Sequence, residues 1–577
     1  MRIFCVMRMP SYFMNISHLK VLISIILLGL GGDFLKAQQP VPEPIRAVMA
    51  EKIERPTQPN VVLIVVDDLG WQDVKCYDID KPSAMETPNI DALAKKGVLF
   101  WQAYAAAPTS SPSRCAIMSG IHPARAQRTH VLGGIPAVPY NRELHRMMPP
   151  WHSGRMLENE LALASVLKHN GYMTGHAGKW HMGMDHCSFP QPKDQGFDWT
   201  RSNLGVSAAM KPNRFTGFAT DKKDDLYRLD DRGFARDQNN EDALTFIRES
   251  KDKAFFLYYA TWLAHYPIQT RSKVLLDKYV KKLGVELPAN PEEWKGEGQT
   301  NPFYCSMVEE LDHYIGQLIH YLENTDDPRW PGHKLSENTY LILTSDSGGM
   351  ETIFGQTITD NYPLDRGSMS LMEGGTRVPL IIRWPDQLPP GTVREDFASW
   401  IDFAPTFLTL AGVPVPPEFD GHCFLPKAAQ PTKYVYSFRD FMDESFDKVR
   451  SVRDARYRYV RNLAPGVDEA GEVAYQEAGQ TMHELRRVQA EGKLTPIQAL
   501  YFDPNRPKEQ LYDTQSDPWE VKDLAGDPAH AAKLAELRAE CDAWLARCGP
   551  LADMPADELV QRGIILPRKP ISQKPKK

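Results

Sequence analysis

NVVLIVVDDLG, residues Asn60–Gly70, is the stretch that most strongly predicts a fold for this chain. Its six consecutive apolar residues, Val61–Val66, lack polar alternation, which is typical of a strand covered on both faces of a parallel sheet. Asp67 and Asp68 follow where the strand ends, and Gly70 turns the chain. Because ligands of open α/β sheets bind at the carboxyl ends of the strands, this end is a candidate site.

A second stretch repeats the pattern far downstream. Thr339–Thr344 reads TYLILT and is followed by Ser345-Asp346-Ser347-Gly348-Gly349. If the two strands are neighbours, the carboxylates of Asp67, Asp68 and Asp346 converge, and they repel one another unless a cation lies between them. All-oxygen ligation suits Ca²⁺ or Mg²⁺. Each aspartate alone is equally well explained as a turn residue, and the two clusters together favour a metal.

Alternating helix and strand patterns fill the chain between these strands and continue to about residue 415. One helix is predicted between Thr87 as the cap, Pro88 as its first residue and Gly97 as its stop. We therefore expect an α/β catalytic domain over residues 58–430, with a mixed, mostly parallel sheet sandwiched by helices. Alternation at Tyr434–Ser437 and Val452–Arg461, then a helix at about 529–548, predicts a smaller C-terminal α+β subdomain over 431–550 and a tail over 551–577.

Composition and charge exclude some classes of function. The chain has 577 residues, with 67 basic and 74 acidic side chains and a net charge of −7, which argues against a general nucleic-acid binder. Its eight cysteines form no pair with zinc-finger spacing.

The amino terminus resembles an export signal. Arg2, Arg8 and Lys20 precede a ten-residue apolar run, Val21–Leu30, and Ala37 follows. Ten residues match the apolar region of a signal peptide and are short for a membrane-spanning helix of about 20. We expect a signal peptide over 1–37, a linker over 38–57, export to the periplasm or the extracellular space, and no stable membrane insertion; a retained anchor is the alternative.

Thr109–Gly120 reads TSSPSRCAIMSG and predicts the start of a helix. Ser111 is the expected N-cap and Pro112 the first helical residue, so that Ser110 lies just ahead of the helix N-terminus, where an anion is favoured. Arg114, one turn into the helix, is placed to brace an oxyanion. A plain helix start with a surface arginine explains these residues equally well.

This segment resembles a known family signature. Ser110-x-Pro112-Ser113-Arg114, followed by Met118-Ser119-Gly120, resembles the signature of the type I, formylglycine-dependent sulfatases of the alkaline-phosphatase-like superfamily, in its serine form. Other matching elements are Asp67-Asp68, the block at 171–183 that ends in GKWHMG, His265 in LAHYP, EGGTRVP at 373–379, DFAPT at 402–406, and the LYD and DPWE elements at 511–513 and 517–520.

The resemblance implies a mechanism and a site. Ser110 is oxidised to formylglycine by a maturase, and its hydrated aldehyde attacks sulfur with one hydroxyl and expels sulfate through the other. The implied metal ligands of Ca²⁺, with Mg²⁺ as the alternative, are Asp67, Asp68, Ser110, Asp346 and Ser347. The implied catalytic residues are Ser110, Arg114, Lys179, His181 and His265, with His265 protonating the leaving alcohol. Lys179 and His181 are two residues apart and point the same way on an extended segment.

Two positions depart from the family pattern. Ser347 stands where the family usually has asparagine, and Ser368 stands where it has lysine in the stretch before EGG. Arg366, two residues away, is a candidate replacement for that lysine, so Arg366 and Ser368 are the predicted substrate-binding residues. A solvated loop arginine is the equal alternative for Arg366.

Three functions are compatible with these residues. The leading hypothesis is an exported sulfatase that acts on a sulfated carbohydrate. The alternatives are a phosphoester or phosphonate hydrolase of the same superfamily and a catalytically weakened protein that binds sulfate esters. Two weakly patterned segments, 125–157 and 187–240, are candidate substrate loops, and their sugar-contacting candidates are Trp151, His152, Arg155, Trp199 and Arg201.

Overall fold

The computed structural model describes residues 54–563 with several gaps. The gaps are 80–81, 129–154, 158–159, 184–189, 202–217, 220–227, 290–293, 295–297, 354–355, 365, 426–431, 443–444, 465, 472–476 and 478–479. The predicted signal peptide, most of the linker, the boundary near residue 430 and the end of the predicted tail lie outside the described residues.

Strands in the described part of the chain form one large sheet, one smaller sheet and a short ribbon. In chain order they are β1 (Asn60–Val66), β2 (Val98–Tyr104), β3 (Met173–Gly178), β4 (Trp199–Arg201), β5 (Phe255–Ala260), β6 (Thr339–Ser345), β7 (Thr352–Ile353), β8 (Gln356–Thr357), β9 (Arg377–Arg383), β10 (Thr392–Ser399), β11 (Val435–Met442), β12 (Ser445–Arg453), β13 (Tyr457–Asn462) and β14 (Glu509–Asp513).

The α-helices of the described residues lie between these strands and after the last one. They are α1 (Pro88–Lys96), α2 (Ser110–Ser119), α3 (Leu163–His169), α4 (Gln238–Ser250), α5 (Lys273–Leu283), α6 (Pro302–Asn324), α7 (Glu373–Thr376), α8 (Phe403–Leu410), α9 (Gln480–Ala490), α10 (Pro496–Tyr501), α11 (Ala531–Cys548) and α12 (Ala556–Gln561). No helix in this part of the chain is long and apolar enough to cross a membrane.

The large sheet is mixed and mostly parallel, as predicted. Its strand order is β10-β2-β9-β6-β1-β5-β3-β4, and only β9 runs antiparallel to its neighbours β2 and β6. β1 lies beside β6, with Asn60 opposite Thr339 and Val66 opposite Ser345. The two acid-ended strands therefore finish at the same edge.

The apolar run of β1 divides its side chains between two cores. Val61, Leu63 and Val65 pack into one core with residues of α2, α3 and α8, whereas the alternate residues of β1 pack into the other with α1, α4, α5 and α6. Burial on both faces explains why this strand shows no polar alternation. It confirms the predicted sandwich of helices around the sheet.

The C-terminal sheet is antiparallel, with the order β11-β12-β13-β14. The sequence alternation at Val452–Arg461 spans two strands, because the chain turns between β12 and β13. The Asp454 carboxylate accepts hydrogen bonds from the backbone N–H groups of Arg456 and Tyr457 and holds this turn. Past residue 550, within the predicted tail, α12 packs through Leu559 against Ala464 and Val467.

Glu373, at the start of α7, joins the two sheets. Its buried carboxylate accepts hydrogen bonds from Tyr104 Oη of β2 at 2.8 Å and from Arg453 Nε of β12 at 2.8 Å. Arg458 of β13 and Arg377 of β9 also donate to it. Burial raises the pKa of Glu373, but Arg453, Arg458 and Arg377 outweigh this effect and hold that pKa at about 2.

We predict that Glu373→Gln lowers the free energy of unfolding by about 3 kcal/mol or more, because buried guanidiniums lose their counter-ion. Urea denaturation measures this loss, and Glu395→Gln, at an exposed position of β10, is the control. The pKa of Glu373 is about 2 in the folded protein, below the value of about 4.3 for an unfolded glutamate. The contribution of Glu373 to the stability of the fold is therefore complete above about pH 4.3 and is lost as the pH falls towards 2. An equal loss of unfolding free energy in Glu373→Gln and Glu395→Gln at pH 7 would contradict this role of Glu373.

Candidate active site

Three aspartates meet at the carboxyl edge of the large sheet. Asp67 and Asp68 follow β1, Asp346 follows β6, and one carboxylate oxygen from each lies within 4.8 Å of the others. All three are buried. The backbone N–H of Asp68 donates to the Asp346 carboxylate at 3.0 Å and ties the two strand ends together. The parallel register of β1 and β6 therefore creates the convergence that the sequence predicts.

Two buried cations face this cluster. Arg114 of α2 donates through Nε to Asp346 at 2.8 Å and through Nη2 to Asp67 at 3.1 Å. Lys179, which follows β3, places Nζ 2.8 Å from both carboxylate oxygens of Asp67. Both predicted cations thus lie at the cluster, although they come from separate parts of the sequence.

The cluster keeps an excess of negative charge, because three carboxylates face two fixed cations. Burial raises the pKa of Asp346 to about 6 despite the guanidinium of Arg114, and the charges of Asp67 and Asp68 add to the rise. Burial also raises the pKa of Asp67, but Lys179, His265 and Arg114 outweigh it and place that pKa below its ordinary value. A buried, oxygen-only cluster with surplus negative charge fits a hard divalent cation.

The two serines that depart from the family pattern lie beside Asp68. Ser347 Oγ donates to Asp68 Oδ1 at 2.6 Å, and Ser368 Oγ is 3.3 Å from the same oxygen. The two hydroxyls are 3.2 Å apart. Both departures therefore fall at one point of the site, where two short hydroxyl side chains contact the same carboxylate.

Ser110 is the first residue of α2, with Thr109 at the N-cap, so the predicted N-cap at Ser111 is two positions too late. The Ser111 hydroxyl instead donates to the carbonyl of His181 at 2.8 Å. The preceding carbonyl of Pro108 accepts a hydrogen bond from the Met369 N–H at 2.8 Å. Ser110 thus lies at a ten-residue helix's N-terminus, between the segments that carry His181 and Ser368.

His265 approaches the cluster from the segment after β5. Its Nε2 is 3.6 Å from Asp68 Oδ2. Its Nδ1 is 2.7 Å from the Tyr266 carbonyl, and because a carbonyl only accepts, Nδ1 carries a hydrogen. The His265 side chain is partly exposed, so it is both near the acidic cluster and open to solvent.

Left-handed backbone is concentrated at this site. Asp68, His181, Arg366 and Met369 have φ between 55° and 79° although none is glycine. Such conformations cost about 1–3 kcal/mol each and tend to occur at functional sites. In these four residues they turn the chain where it passes the acidic cluster or the Ser110 helix.

Arg366 and the described sugar-contacting candidates make contacts with residues other than the three aspartates. Arg366 pairs with Glu469 of the C-terminal region, and it lines a cavity together with Ser368.

Trp199 on the edge strand β4 packs on Phe246, and Arg201 lies over the ring of Trp199. The carbonyl of Arg155 accepts from Arg128. Trp151 and His152 lie outside the described residues.

Two aromatic residues at the site were not predicted from the sequence. Tyr258 of β5 has its hydroxyl 3.3 Å from Arg114 Nη1, and Trp262 has its ring centroid 5.6 Å from Lys179 Nζ. Both are buried and steady the two cations. The only available signal was their position at the end of a buried strand, FFLYYA, which by itself indicates core packing.

Comparisons with known proteins agree with this geometry. The sulfatase family model matches residues 59–413, and a model of the N-sulphoglucosamine sulphohydrolase C-terminal region matches 368–498. The ulvan-active sulfatase of Formosa agariphila is 27% identical over 530 residues, spanning 90% of this chain and 80% of that protein. The dog N-acetylgalactosamine-6-sulfatase is 29% identical over 393 residues, spanning 64% of this chain and 66% of that enzyme.

A solved structure shares the fold. The structure of Ps i-CgsB in complex with k-i-k-neocarrahexaose superposes with a TM-score of 0.59 at 22% identity, covering 88% of this chain and 97% of that chain. The family match covers more than half of the chain and includes the acidic cluster, the Ser110 helix and both cations. The chain therefore belongs to the sulfatase family, whose members are sulfuric ester hydrolases.

Proposed function

We propose that this protein is an exported sulfatase that hydrolyses sulfate monoesters on a sulfated carbohydrate, using formylglycine made from Ser110 and one divalent cation. The observation that carries this proposal is the buried cluster of Asp67, Asp68 and Asp346, which Arg114 and Lys179 face beside the Ser110 helix. This arrangement combines a cation site, fixed positive charge and a helix N-terminus around one point.

The cation site is formed by the carboxylates of Asp67, Asp68 and Asp346, with oxygens of Ser347 and residue 110 as further ligands. We propose Ca²⁺ in preference to Mg²⁺, because Ca²⁺ accepts irregular oxygen sets of varied length, including a short hydroxyl side chain. When bound, the cation would neutralise charge on the sulfuryl oxygens and orient the oxygen of residue 110.

The chain's own side chains would supply the nucleophile, the sulfate-binding charges and the proton donor. Residue 110, at the positive end of α2, is placed to present a nucleophilic oxygen to the sulfur of an anionic ester. Lys179 and Arg114 are placed to attract the sulfate group, with His181 in support. The His265 Nδ1 hydrogen bond to the Tyr266 carbonyl leaves Nε2 to hold the proton that the leaving alcohol oxygen takes.

Two kinds of observation support a sugar as the substrate and export as the destination. The relatives are named for ulvan and for N-acetylgalactosamine 6-sulfate. Residues 1–37 have the charge and apolar pattern of a signal peptide. We propose that these residues and a linker to residue 57 precede a catalytic domain over 58–430 and a C-terminal subdomain from 431, and that a maturase oxidises Ser110.

We predict that co-expression with a serine-competent maturase converts Ser110 to an aldehyde. Mass spectrometry of the tryptic peptide 97–114 would show a loss of about two mass units, and a carbonyl reagent would trap the product. The treated protein would release sulfate from 4-nitrophenyl sulfate, and from at least one of ulvan oligosaccharides, neocarrahexaose and N-acetylgalactosamine 6-sulfate.

Ser110→Ala is expected to lower sulfate release by more than about 10³-fold, since the nucleophile is lost. Ser83→Ala, a buried serine outside the site, is the matched control and should retain activity. Full activity in Ser110→Ala, or sulfate release by a protein whose peptide 97–114 keeps its unmodified mass, would overturn the proposed mechanism.

We also predict that Asp346→Asn weakens Ca²⁺ binding by about 10-fold or more, because a buried carboxylate ligand becomes neutral. Isothermal titration of chelator-treated protein with Ca²⁺ and then Mg²⁺ measures this directly, independently of activity. Asp386→Asn, at an exposed aspartate, is the control. Unchanged Ca²⁺ affinity in Asp346→Asn would place the cation elsewhere, and tighter Mg²⁺ than Ca²⁺ binding would overturn the preference for calcium.

A further inference from the structure

A cavity of about 440 Å³ adjoins the acidic cluster on the side of the C-terminal region. Its lining includes Ser368 and Arg366 at one end and residues of α9 and α10 at the other. The volume falls within the range of about 300–1,000 Å³ that is usual for small-ligand pockets. It is therefore large enough for a sugar ring.

The inner end of this cavity is held against the reaction centre by hydrogen bonds. Ser368 Oγ is 3.3 Å from Asp68 Oδ1, and the Ser368 N–H donates to the Gly349 carbonyl at 2.9 Å. The adjacent Met369 N–H donates to Pro108, two residues before Ser110. Ser368 therefore both lines the cavity and contacts Asp68, and its side chain is shorter than the lysine usual in the family.

The outer end of the cavity presents apolar side chains. Helix α10 has no buried residue, and two of its side chains that line the cavity, Ile497 and Leu500, are 61% and 46% exposed. They are three residues apart and so share one face of the helix. Polar groups of Gln498 and Glu469 line the same space. An apolar face bordered by a few polar groups matches the C–H face and the hydroxyls of a pyranose.

The two guanidiniums that line the cavity are paired with carboxylates. Arg366 forms an ion pair with Glu469, and Arg439 forms one with Asp447 and also donates to the Met369 carbonyl at 2.6 Å. Guanidiniums already matched by carboxylates gain little from a second anionic group on the ligand. The lining therefore favours a sugar whose only charge is the ester that reaches the acidic cluster.

We infer that this cavity is the saccharide subsite, and that it holds the uncharged ring bearing the sulfate ester, with the apolar face of the ring against Ile497 and Leu500. This inference rests on the proposed sulfatase function. It assigns substrate selection to the segment between β13 and β14, and the reaction to the edge of the large sheet.

The test measures saccharide hydrolysis together with the aldehyde yield at residue 110. Leu500→Trp fills part of the cavity from an exposed position, and Leu500→Ala removes the apolar contact. For maturase-treated protein, we expect Leu500→Trp to lower kcat/KM at least tenfold on whichever of ulvan oligosaccharides, neocarrahexaose and N-acetylgalactosamine 6-sulfate the wild type cuts best. Leu500→Ala should lower it about threefold. Both variants should match the wild type in aldehyde yield at residue 110, measured on peptide 97–114, which shows that the loss does not come from failed folding or maturation.

Val393→Trp is the matched control, because Val393 is 55% exposed and does not line the cavity. Unchanged saccharide hydrolysis in Leu500→Trp with a wild-type aldehyde yield, or an equal loss of saccharide hydrolysis in Val393→Trp, would overturn the subsite. Hydrolysis of 4-nitrophenyl sulfate by wild type with no hydrolysis of any saccharide would also overturn it while leaving the sulfatase chemistry intact. If the maturase-treated wild type hydrolyses none of these esters, the proposed function and the subsite are both overturned.

Discussion

The parallel pairing of β1 with β6 is the constraint on which the site depends. Its register brings the three carboxylates of Asp67, Asp68 and Asp346 together in a buried place, where like charges repel strongly. Arg114 and Lys179 offset part of this repulsion, and the surplus negative charge makes the place suitable for a cation. Arg114 connects α2 to the cluster, and Lys179 connects the end of β3 to it.

The second sheet is tied to the same centre through Glu373. Its carboxylate receives Tyr104 from the large sheet and Arg453 and Arg458 from the small one, so the two sheets share one buried charge network. The loop just before Glu373 carries Ser368, which contacts Asp68. The proposed saccharide subsite therefore lies beside the connection between the two sheets, where a sugar bound by the C-terminal segment would meet the reaction centre.

Sequence reasoning predicted the parts of the protein whose signals are local. The apolar run of β1, its terminal acids and the SxPSR segment each carry their meaning within about ten residues, and all of them converge in the structure. It did not find Tyr258 or Trp262, because an aromatic residue in a buried strand, or just after one, is usually a core residue. It also could not find the cavity, which joins residues more than a hundred positions apart, Arg366 and Glu469 among them. The N-cap of α2 was misplaced by two residues because both Thr109 and Ser111 have capping side chains.

A crystal structure of the maturase-treated protein, grown with Ca²⁺ and inorganic sulfate, is the most direct test of the central claim. The account predicts Ca²⁺ bound by Asp67, Asp68 and Asp346, an oxidised residue 110 against the ion, and sulfate within hydrogen-bond reach of Lys179. A calcium ion bound away from these three carboxylates, with sulfate absent from the Ser110 helix, would contradict it.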